Sequence, residues 1–425
     1  MTNISSFCLV FLTLHTILNP ISALKSCEFP AIFNFGDSNS DTGGFVASFP
    51  PLNSPYGETY FQMPAGRFSD GRLIIDFVAK SLNLSFLSAY LDSLGTNFTV
   101  GANFATSAST ITLPARIIPA NNGFSPFFFL VQYNQFVQLK DRSQSIRKRG
   151  GVFAQLMPKE EYFQKALYTF DIGQNDLGAG FFGNMSVEEV NASVPNIVNT
   201  FLTNVKSIYN LGARSFWIHN TGPIGCLAYV LANFPSAEKD SAGCAKSYNE
   251  VAQYFNYELQ ETVLQLRKVF PSAAFTYVDV YSVKYSLFSE PKKYGFELPL
   301  VACCGYGGLY NYSSSAGCGA TITVNGTQIT VGSCDDPSVR VVWDGIHYTE
   351  AANKFIFNQI STGAFSDPPI PLKMACHRTG KQEELVKKEE EEEIVMGRGL
   401  PISWVKIDAL SFSPTPSHGP VKEWS

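Results

Sequence analysis

The sequence has 425 residues, 45% of them hydrophobic, so the chain can form one large α/β domain or two medium-sized domains with a substantial core. Its formal net charge is −5, and Lys and Arg are scattered except for a cluster in 142–149. Without a basic stripe to contact phosphates, we expect no nucleic-acid partner.

The amino terminus has the features of an export signal. Apolar residues fill 7–17, and small residues suited to cleavage lie near Ile21-Ser22-Ala23. We predict that residues 1–23 are a signal peptide. The apolar run is shorter than the ~20 residues that a membrane span needs, and no other stretch is apolar for long enough. We therefore expect a secreted, extracellular protein with no membrane span.

The cysteine content agrees with export. Removal of Cys8 with the signal leaves an even number, which indicates disulfides in an exported chain: Cys27, Cys226, Cys244, Cys303, Cys304, Cys318, Cys334 and Cys376. Cys226 and Cys244 are close enough in sequence to pair across a loop. A zinc site among the four cysteines of 303–334 is disfavoured, because Cys303 and Cys304 are adjacent and no Cys-x-x-Cys or His is nearby. The sequence leaves the connectivity open.

Acceptor sequons for N-glycosylation follow the predicted signal at six positions, and we expect a glycoprotein. The sequons begin at Asn83, Asn97, Asn184, Asn191, Asn311 and Asn325.

Apolar strands alternate with amphipathic helices along the chain. The first strand covers 31–35 and ends at Gly36; an irregular Pro/Gly-rich loop follows over 50–66, and short-strand and loop residues cover 99–118. We predict further strands at 166–172, 215–219 and 274–280, and helices that begin near Ser69-Asp70 and cover 127–149, 187–211, 242–270 and 350–360. This alternation predicts a parallel sheet covered by helices on both faces.

The last fifty residues differ in composition. A domain end is indicated near 368–378, and the acidic run Glu389–Glu393 is followed by residues rich in Gly, Pro and Ser. We predict a domain over 24–378 and an acidic, disordered tail over 379–425 with no catalytic role.

Ser38 is the candidate nucleophile. It follows the first strand in Gly36-Asp37-Ser38, and open α/β sheets place their sites at the carboxyl ends of strands. Gly-Asp-Ser is also ordinary turn chemistry, so the motif needs a base and an orienting acid elsewhere in the chain.

His347 is the candidate base. Of the other histidines, one lies in the predicted signal, two lie at or beyond the domain end, and His219 ends an apolar strand, where a buried structural histidine is more common. Asp344 precedes His347 by one turn of chain across Gly345, a spacing that can bring the carboxylate to Nδ1 and leave Nε2 free to accept a proton. The alternative is a helix start with incidental charges.

Asn175 is the candidate side-chain donor to an oxyanion. It lies in Gly173-Gln174-Asn175-Asp176, directly after a predicted strand, where its amide can stabilise a developing negative charge. The alternative is a capped loop, since Asn and Asp favour such turns.

Together, Gly-Asp-Ser, Gly-x-Asn-Asp and Asp-x-x-His in this order resemble the motifs of the GDSL lipase/esterase family, or SGNH hydrolases. The blocks at 33–43, 101–105, 220–226 and 303–305 are most similar to the plant secreted branch, and the resemblance covers about 28–378. It implies a three-layer α/β/α sandwich with a parallel, flavodoxin-like sheet. It also implies a serine esterase that needs no metal or organic cofactor and acts on small-molecule esters.

Carried over by position, the resemblance implies that Ser38 is the nucleophile, His347 the base and Asp344 the orienting acid. The oxyanion hole would use the Ser38 N–H, the Asn175 side chain and the N–H of Ala108, where the family usually has Gly. If φ is positive there, the Ala Cβ costs roughly 1 kcal/mol, and loss of one oxyanion donor would cost ~10²–10³ in turnover. We expect an active enzyme, with a weak one as the alternative.

Two other functions are weighed against the esterase. One is a non-catalytic cell-wall or glycan-binding protein on the same fold; retention of all four motif residues argues against it. The other is a glycosidase, which would need two carboxylates from Asp37, Asp176 and Asp344 and would leave the Ser/His pair unexplained. The sequence leaves the ester open between a lipid, an acetylated glycan and a phenolic ester.

Overall fold

A central sheet organises the computed structural model, in which residues 26–120 and 123–378 are described. The strands are β1 (Ile32–Gly36), β2 (Gly101–Asn103), β3 (Leu167–Asp171), β4 (Ser215–His219), β5 (Ala274–Val278), β6 (Thr321–Val324), β7 (Thr327–Thr330) and β8 (Ser366–Asp367). The sheet order is β2-β1-β3-β4-β5-β8, and β6 and β7 form a separate hairpin. The first five strands are parallel in the flavodoxin order, which confirms the predicted sheet. The edge strand β8, which was not predicted, is antiparallel to β5.

The described α-helices connect these strands. They are α1 (Glu58–Phe61), α2 (Ile74–Ser81), α3 (Phe129–Arg149), α4 (Tyr162–Lys165), α5 (Gln174–Phe182), α6 (Val187–Asn210), α7 (Ala228–Asn233), α8 (Lys246–Val269), α9 (Val280–Ser289) and α10 (Glu350–Ile360). The predicted signal peptide and the predicted tail lie outside the described residues, so both stay predictions. The described residues up to His377 form one compact unit.

The longer helices form two layers, one on each face of the sheet. On one face α6 packs against α3 and α8; on the other α10 packs against α2 and α9. Alternate residues of β1 face the two layers, as the pleat requires. Phe33 and Phe35 contact Phe136 of α3, with ring centroids 5.3 and 5.8 Å apart, whereas Asn34 lines a small internal cavity with Ile75 of α2. The three-layer sandwich is therefore confirmed.

Four of the predicted helices are confirmed as α3, α6, α8 and α10, with ends that differ by a few residues at most. The start predicted near Ser69-Asp70 is wrong, because α2 begins at Ile74, where the Asp76 carboxylate accepts a hydrogen bond from the Leu73 N–H (3.0 Å). Asp70 instead accepts from the Glu350 N–H at the start of α10 (2.7 Å). Helices α1, α4, α5, α7 and α9 and the β6–β7 hairpin were not predicted, and α1 lies within the stretch 50–66 that was predicted as irregular.

All eight predicted disulfide cysteines are paired. Cys226–Cys244 confirms the predicted pair, and the bonds that the sequence left open are Cys27–Cys376, Cys303–Cys334 and Cys304–Cys318. The four cysteines of 303–334 are thus consumed as disulfides, and two of these, Cys303 and Cys304, pack in a small apolar cluster with Tyr56 and Trp343.

The sequon asparagines differ in accessibility. Asn311 is half-buried, and its Nδ2, the atom to which a glycan would be attached, donates a hydrogen bond to the Ala302 carbonyl (3.0 Å). The others are exposed: Asn83, Asn97, Asn184, Asn191 and Asn325. Glycosylation stays a prediction, best supported at these five. Within 26–120 and 123–378, no helix is long and apolar enough to cross a bilayer.

Candidate active site

Ser38 lies in a tight turn at the carboxyl end of β1. A Cβ on Gly36 would lie 2.6 Å from the Asp171 carbonyl oxygen of β3, so only glycine fits there. The Asp37 N–H donates to that same carbonyl (3.1 Å), and the Asp37 carboxylate accepts from the Asn39 N–H (2.9 Å). These bonds hold Ser38, which is 4% exposed, at the edge of the sheet where the sequence predicted it.

Asp41 joins the Ser38 turn to the loop that carries Ala108. Its buried carboxylate accepts from the N–H groups of Gly43 (2.8 Å), Gly44 (2.6 Å) and Phe45 (3.0 Å), and also from Ser107 (2.8 Å) in the other loop. Asp41 was not among the site residues predicted from the sequence. An aspartate placed two residues before Gly-Gly is a signal for such a cluster of backbone donors, although its contact with residue 107 is not readable from sequence.

Ala108 has φ of +61°, so the backbone there is left-handed, the case in which the Ala Cβ is costly. The Ser125 N–H donates to the Ala108 carbonyl (2.9 Å), which helps to hold this conformation. A non-glycine residue in this region costs about 1–2 kcal/mol. The surrounding hydrogen bonds must therefore offset a local strain.

The start of α5 is bound to the same loop. Asn175 lies in the first turn of α5, and its Nδ2 donates to the Ser109 carbonyl (3.0 Å), next to Ala108. The buried Asp176 accepts from the Ile111 N–H (2.8 Å) and the Thr112 N–H (3.0 Å). Burial raises the pKa of Asp176 to about 6, and the hydrogen bonds from Ile111 and Thr112 offset part of the rise. Asn175 and Ala108 are thus parts of one rigid unit.

His347 and Asp344 form the predicted pair. His347 Nδ1 is 2.7 Å from Asp344 Oδ2 and 2.9 Å from Oδ1, and Asp344 Oδ1 also accepts from the N–H groups of Ile346 (3.1 Å) and His347 (2.9 Å). Burial by itself raises the pKa of Asp344, but the charge of His347 and the hydrogen bonds to the carboxylate outweigh burial and lower it. Asp344 is therefore held as a carboxylate facing Nδ1.

Tyr56 is a further partner of Asp344 that the sequence did not reveal. Its hydroxyl donates to Asp344 Oδ2 (2.7 Å), and its ring packs edge-on against Trp343, with centroids 5.9 Å apart. Tyr56 belongs to the loop predicted as irregular over 50–66, and its contact with Asp344 joins positions far apart in the chain. No local motif signals such a contact.

The turn that carries the pair is fixed by backbone geometry and by the disulfide segment. Gly345 has φ of +95°, and a Cβ there would lie 2.3 Å from the Tyr312 ring. The Trp343 N–H donates to the His347 carbonyl (2.7 Å), and the Cys304 N–H donates to the Trp343 carbonyl (2.7 Å). The segment 303–334 therefore supports the His347 turn directly.

A buried charged cluster lies beneath the Ser38 turn. His219 Nδ1 is 3.2 Å from Asp171 Oδ2, and His219 Nε2 accepts from the Trp217 indole N–H (3.1 Å), so His219 is a satisfied structural residue, as its strand position suggested. Burial alone raises the pKa of Asp171, but the hydrogen bond from His219 and the charges of Lys284 and His219 lower it overall.

Asp37 completes this cluster and connects it to the catalytic candidates. Burial, followed by the Asp171 charge, raises the pKa of Asp37 to about 7, against opposing effects that include the charges of Lys284 and His347. The His347 ring lies 5.1 Å from the Phe68 ring, which lies 5.6 Å from the ring of Phe45 just after the Ser38 turn, so the two turns are close. The structure thus brings Ser38, Ala108, Asn175 and the Asp344–His347 pair to one edge of the sheet.

Comparison with known proteins gives a consistent result. The model of the family described as GDSL-like lipase/acylhydrolase matches residues 32–360. The chain is 68% identical to a protein named esterase from Hevea brasiliensis over 358 residues, which is 84% of this chain and 91% of the relative. It is 62% identical to the GDSL esterase/lipase ENOD8 of Medicago truncatula, covering 85% of this chain and 94% of the relative. It is also 51% identical to a protein named alpha-L-fucosidase 3 from Arabidopsis thaliana, covering 86% and 97%.

Proposed function

The chain belongs to the GDSL-like lipase/acylhydrolase family, and we propose that it hydrolyses carboxylic esters through an acyl-enzyme on Ser38, with His347 as the base and Asp344 as its orienting acid. The observation that carries this assignment is the contact between His347 Nδ1 and the buried Asp344 carboxylate (2.7 Å). The Nδ1–H that donates to Asp344 leaves the lone pair of Nε2 free to accept a proton.

The reaction follows from these roles. His347 Nε2 takes the proton of the Ser38 hydroxyl as Oγ attacks the ester carbonyl, and the resulting imidazolium is stabilised by Asp344. The tetrahedral intermediate collapses when His347 returns the proton to the leaving alcohol. Water then attacks the acyl-enzyme as His347 takes its proton, and His347 returns that proton to Ser38 Oγ as the acid leaves.

The oxyanion donors in this proposal are the N–H groups of Ser38 and Ala108 and the side chain of Asn175. Asn175 Nδ2 carries two hydrogens, and the bond to the Ser109 carbonyl occupies one of them. The second is available to an oxyanion. Because the first fixes the orientation of the amide, the donor needs little reorganisation when charge develops on the substrate.

A glycosidase is the alternative suggested by the name of the alpha-L-fucosidase 3 relative. That chemistry requires one carboxyl group as acid and a second as base or nucleophile, facing a sugar. The Asp344 oxygens are occupied by His347 and Tyr56, and the Asp176 oxygens by Ile111 and Thr112. We therefore propose an esterase rather than a glycosidase.

We propose that the enzyme acts outside the cell on a small ester. The four disulfides support export, because such bonds persist in oxidising compartments. The proposed mechanism uses no metal or organic cofactor. A non-catalytic binding protein is disfavoured, because such a protein would have no need for the pairing of His347 with Asp344.

The test is hydrolysis of p-nitrophenyl butyrate by the purified secreted protein, beside the variants Ser38→Ala and His347→Asn. We expect each variant to lose activity by a factor of ~10³ or more, while the exposed control Ser48→Ala retains it. We expect no hydrolysis of p-nitrophenyl α-L-fucoside. Ester hydrolysis that survives Ser38→Ala, or cleavage of the fucoside without ester hydrolysis, would contradict the proposal.

A further inference from the structure

A row of four half-buried phenylalanine rings begins at the candidate base. The Phe68 ring lies 5.1 Å from the His347 ring, and Phe45 lies 5.6 Å from Phe68. Phe49 is 4.7 Å from Phe45, and Phe127 is 6.4 Å from Phe49, all measured between ring centroids. Each of the four residues is partly exposed to solvent. We call Phe68, Phe45, Phe49 and Phe127 the phenylalanine row.

The near part of the row is fixed to the Ser38 turn. Phe45 follows this turn in the chain, and its N–H donates to Asp41 (3.0 Å), the carboxylate that also binds Ser107 in the loop of Ala108. The row therefore does not form an independent surface feature. It starts at the candidate base and continues through Phe45, which is fixed to the Ser38 turn.

The far end of the row is fixed to the proposed oxyanion loop. The Phe127 carbonyl accepts from Ser109 Oγ (2.9 Å) and from Gln132 Nε2 (3.0 Å). The Gln132 side chain also bonds to both the N–H (3.0 Å) and the carbonyl (2.8 Å) of Gly36 at the end of β1. Phe127 is thus bound to Ser109, next to Ala108, and through Gln132 to Gly36, two residues before Ser38. The row therefore extends from the candidate base to the proposed oxyanion loop.

Partly exposed phenylalanines in a continuous row favour an apolar ligand. Phenylalanine has no side-chain hydrogen-bond donor or acceptor, so the row cannot satisfy the hydroxyls of a sugar. Covering the row with alkyl or aryl groups removes apolar surface on both partners from water, which stabilises the complex. A short acetyl group would leave most of the row exposed.

We propose that the phenylalanine row binds the apolar part of the ester, so that the enzyme prefers substrates with a medium-length alkyl chain or an aryl group over simple acetates. This inference rests on the proposed esterase function and specifies its substrate class. The row passes both the base, which serves the leaving alcohol, and the oxyanion loop. The apolar group can therefore belong to the acyl or to the alcohol part of the ester, and the experiment separates the two.

The experiment measures kcat/KM of the wild-type enzyme on two series of esters. The acyl series is p-nitrophenyl acetate, butyrate and octanoate; the alcohol series is ethyl, butyl and octyl acetate, followed by acid release in a pH-stat. Full burial of one methylene is expected to raise kcat/KM roughly fourfold, and burial of one of its faces about twofold. We expect octanoate to exceed acetate, or octyl acetate to exceed ethyl acetate, by about tenfold or more. The series that rises identifies the part of the ester on the row.

Variants then test whether the row is the cause. Phe49→Ala is expected to lower the ratio of long-chain to short-chain kcat/KM about threefold to tenfold, and Phe49→Leu, which stays apolar, to preserve most of it. The control is Phe153→Ala, which also removes an exposed ring (67% exposed). Phe153 lies three residues before Leu156, whose carbonyl accepts a hydrogen bond from the Phe98 N–H just before β2. Phe153 is therefore near the amino end of the sheet, and we expect Phe153→Ala to leave the ratio unchanged.

Equal kcat/KM across both series would overturn the inference, and so would a strong chain-length preference that Phe49→Ala leaves intact. The ratio of long-chain to short-chain kcat/KM within one variant is independent of how much folded protein is present. The wild-type series tests the inference even if a variant fails to fold. If acetate esters are hydrolysed in a Ser38-dependent manner without any preference, the inference fails while the proposed function stands. If no ester is hydrolysed, both fail.

Discussion

Removal of the Tyr56 hydroxyl tests how the Asp344–His347 pair is held. Tyr56→Phe keeps the ring, which packs edge-on against Phe68 and Trp343, with centroids 6.1 and 5.9 Å away. It removes only the hydrogen bond to Asp344 Oδ2. A hydrogen bond to a charged group contributes about 1.5–3 kcal/mol, so the free energy of unfolding should fall by about that amount.

The effect on catalysis follows from the donors that stay on Asp344. The carboxylate still accepts from the Ile346 N–H, the His347 N–H and His347 Nδ1, so its orientation is weakened but not lost. We expect kcat to fall about tenfold, equivalent to ~1.4 kcal/mol, with KM little changed because Tyr56 acts through Asp344. This is far less than the ~10⁴ expected when the orienting acid itself is replaced.

The assay combines steady-state kinetics on p-nitrophenyl butyrate with thermal denaturation. Tyr60→Phe is the matched control, since it removes the same atom from a tyrosine that lies four residues away in α1 and is 40% exposed. It should match the wild type in both measurements. Wild-type kcat in Tyr56→Phe together with lower thermal stability would show that Tyr56 supports the fold without positioning Asp344. Wild-type values in both would refute the reasoning altogether.

Three more predictions concern strain, pH and the disulfide segment. Because φ at Ala108 is +61°, Ala108→Gly should keep activity and change the unfolding free energy by at most about 1 kcal/mol. The β-branched Ala108→Val should lose both stability and turnover. Equal melting temperatures and equal ester hydrolysis in the two variants would contradict this. The raised pKa of Asp37, about 7, means that the folded state binds a proton more tightly than the unfolded state, so the free energy of unfolding should fall as the pH rises from ~4 to ~7. In urea titrations at several pH values, Asp37→Asn should make this fall smaller. The same fall in Asp37→Asn and wild type would contradict the prediction. The double variant Cys303→Ser/Cys334→Ser opens a loop of sequence separation 31, which should lower the free energy of unfolding by up to about 4 kcal/mol and remove most of the activity. Melting and turnover equal to the wild type would exclude a role of this disulfide in supporting the His347 turn.

The sequence predicted the parts of this molecule that depend on local pattern. Alternation of apolar strands and amphipathic helices was sufficient for the sheet and for α3, α6, α8 and α10. The spacing of Asp344 and His347 was sufficient for their contact, because only Gly345 and Ile346 lie between them and the glycine allows the turn to close. The family pattern alone singled out Ala108 and raised the question of its φ, which the structure answers with a left-handed value.

The features that the sequence did not predict depend on contacts between distant segments. Asp70 has the residue type of a helix cap, yet it binds the start of α10 because α10 packs against α2. Tyr56 and the phenylalanine row carry no motif, since their roles arise only when loops from several strands meet at one sheet edge. The helix α5 was missed because its glycines, including Gly178 and Gly180, lower helix propensity, while tertiary packing against α6 compensates.

The most direct test of the central claim is covalent labelling of the nucleophile. The purified protein would be treated with a fluorophosphonate probe, digested and analysed by mass spectrometry, with ester hydrolysis followed in parallel. We predict one equivalent of probe on Ser38, a matching loss of hydrolysis, and much slower labelling in Asp344→Asn, since the base then loses its orienting partner. Complete loss of hydrolysis with the probe on a different serine, or hydrolysis that continues after full modification of Ser38, would contradict the account.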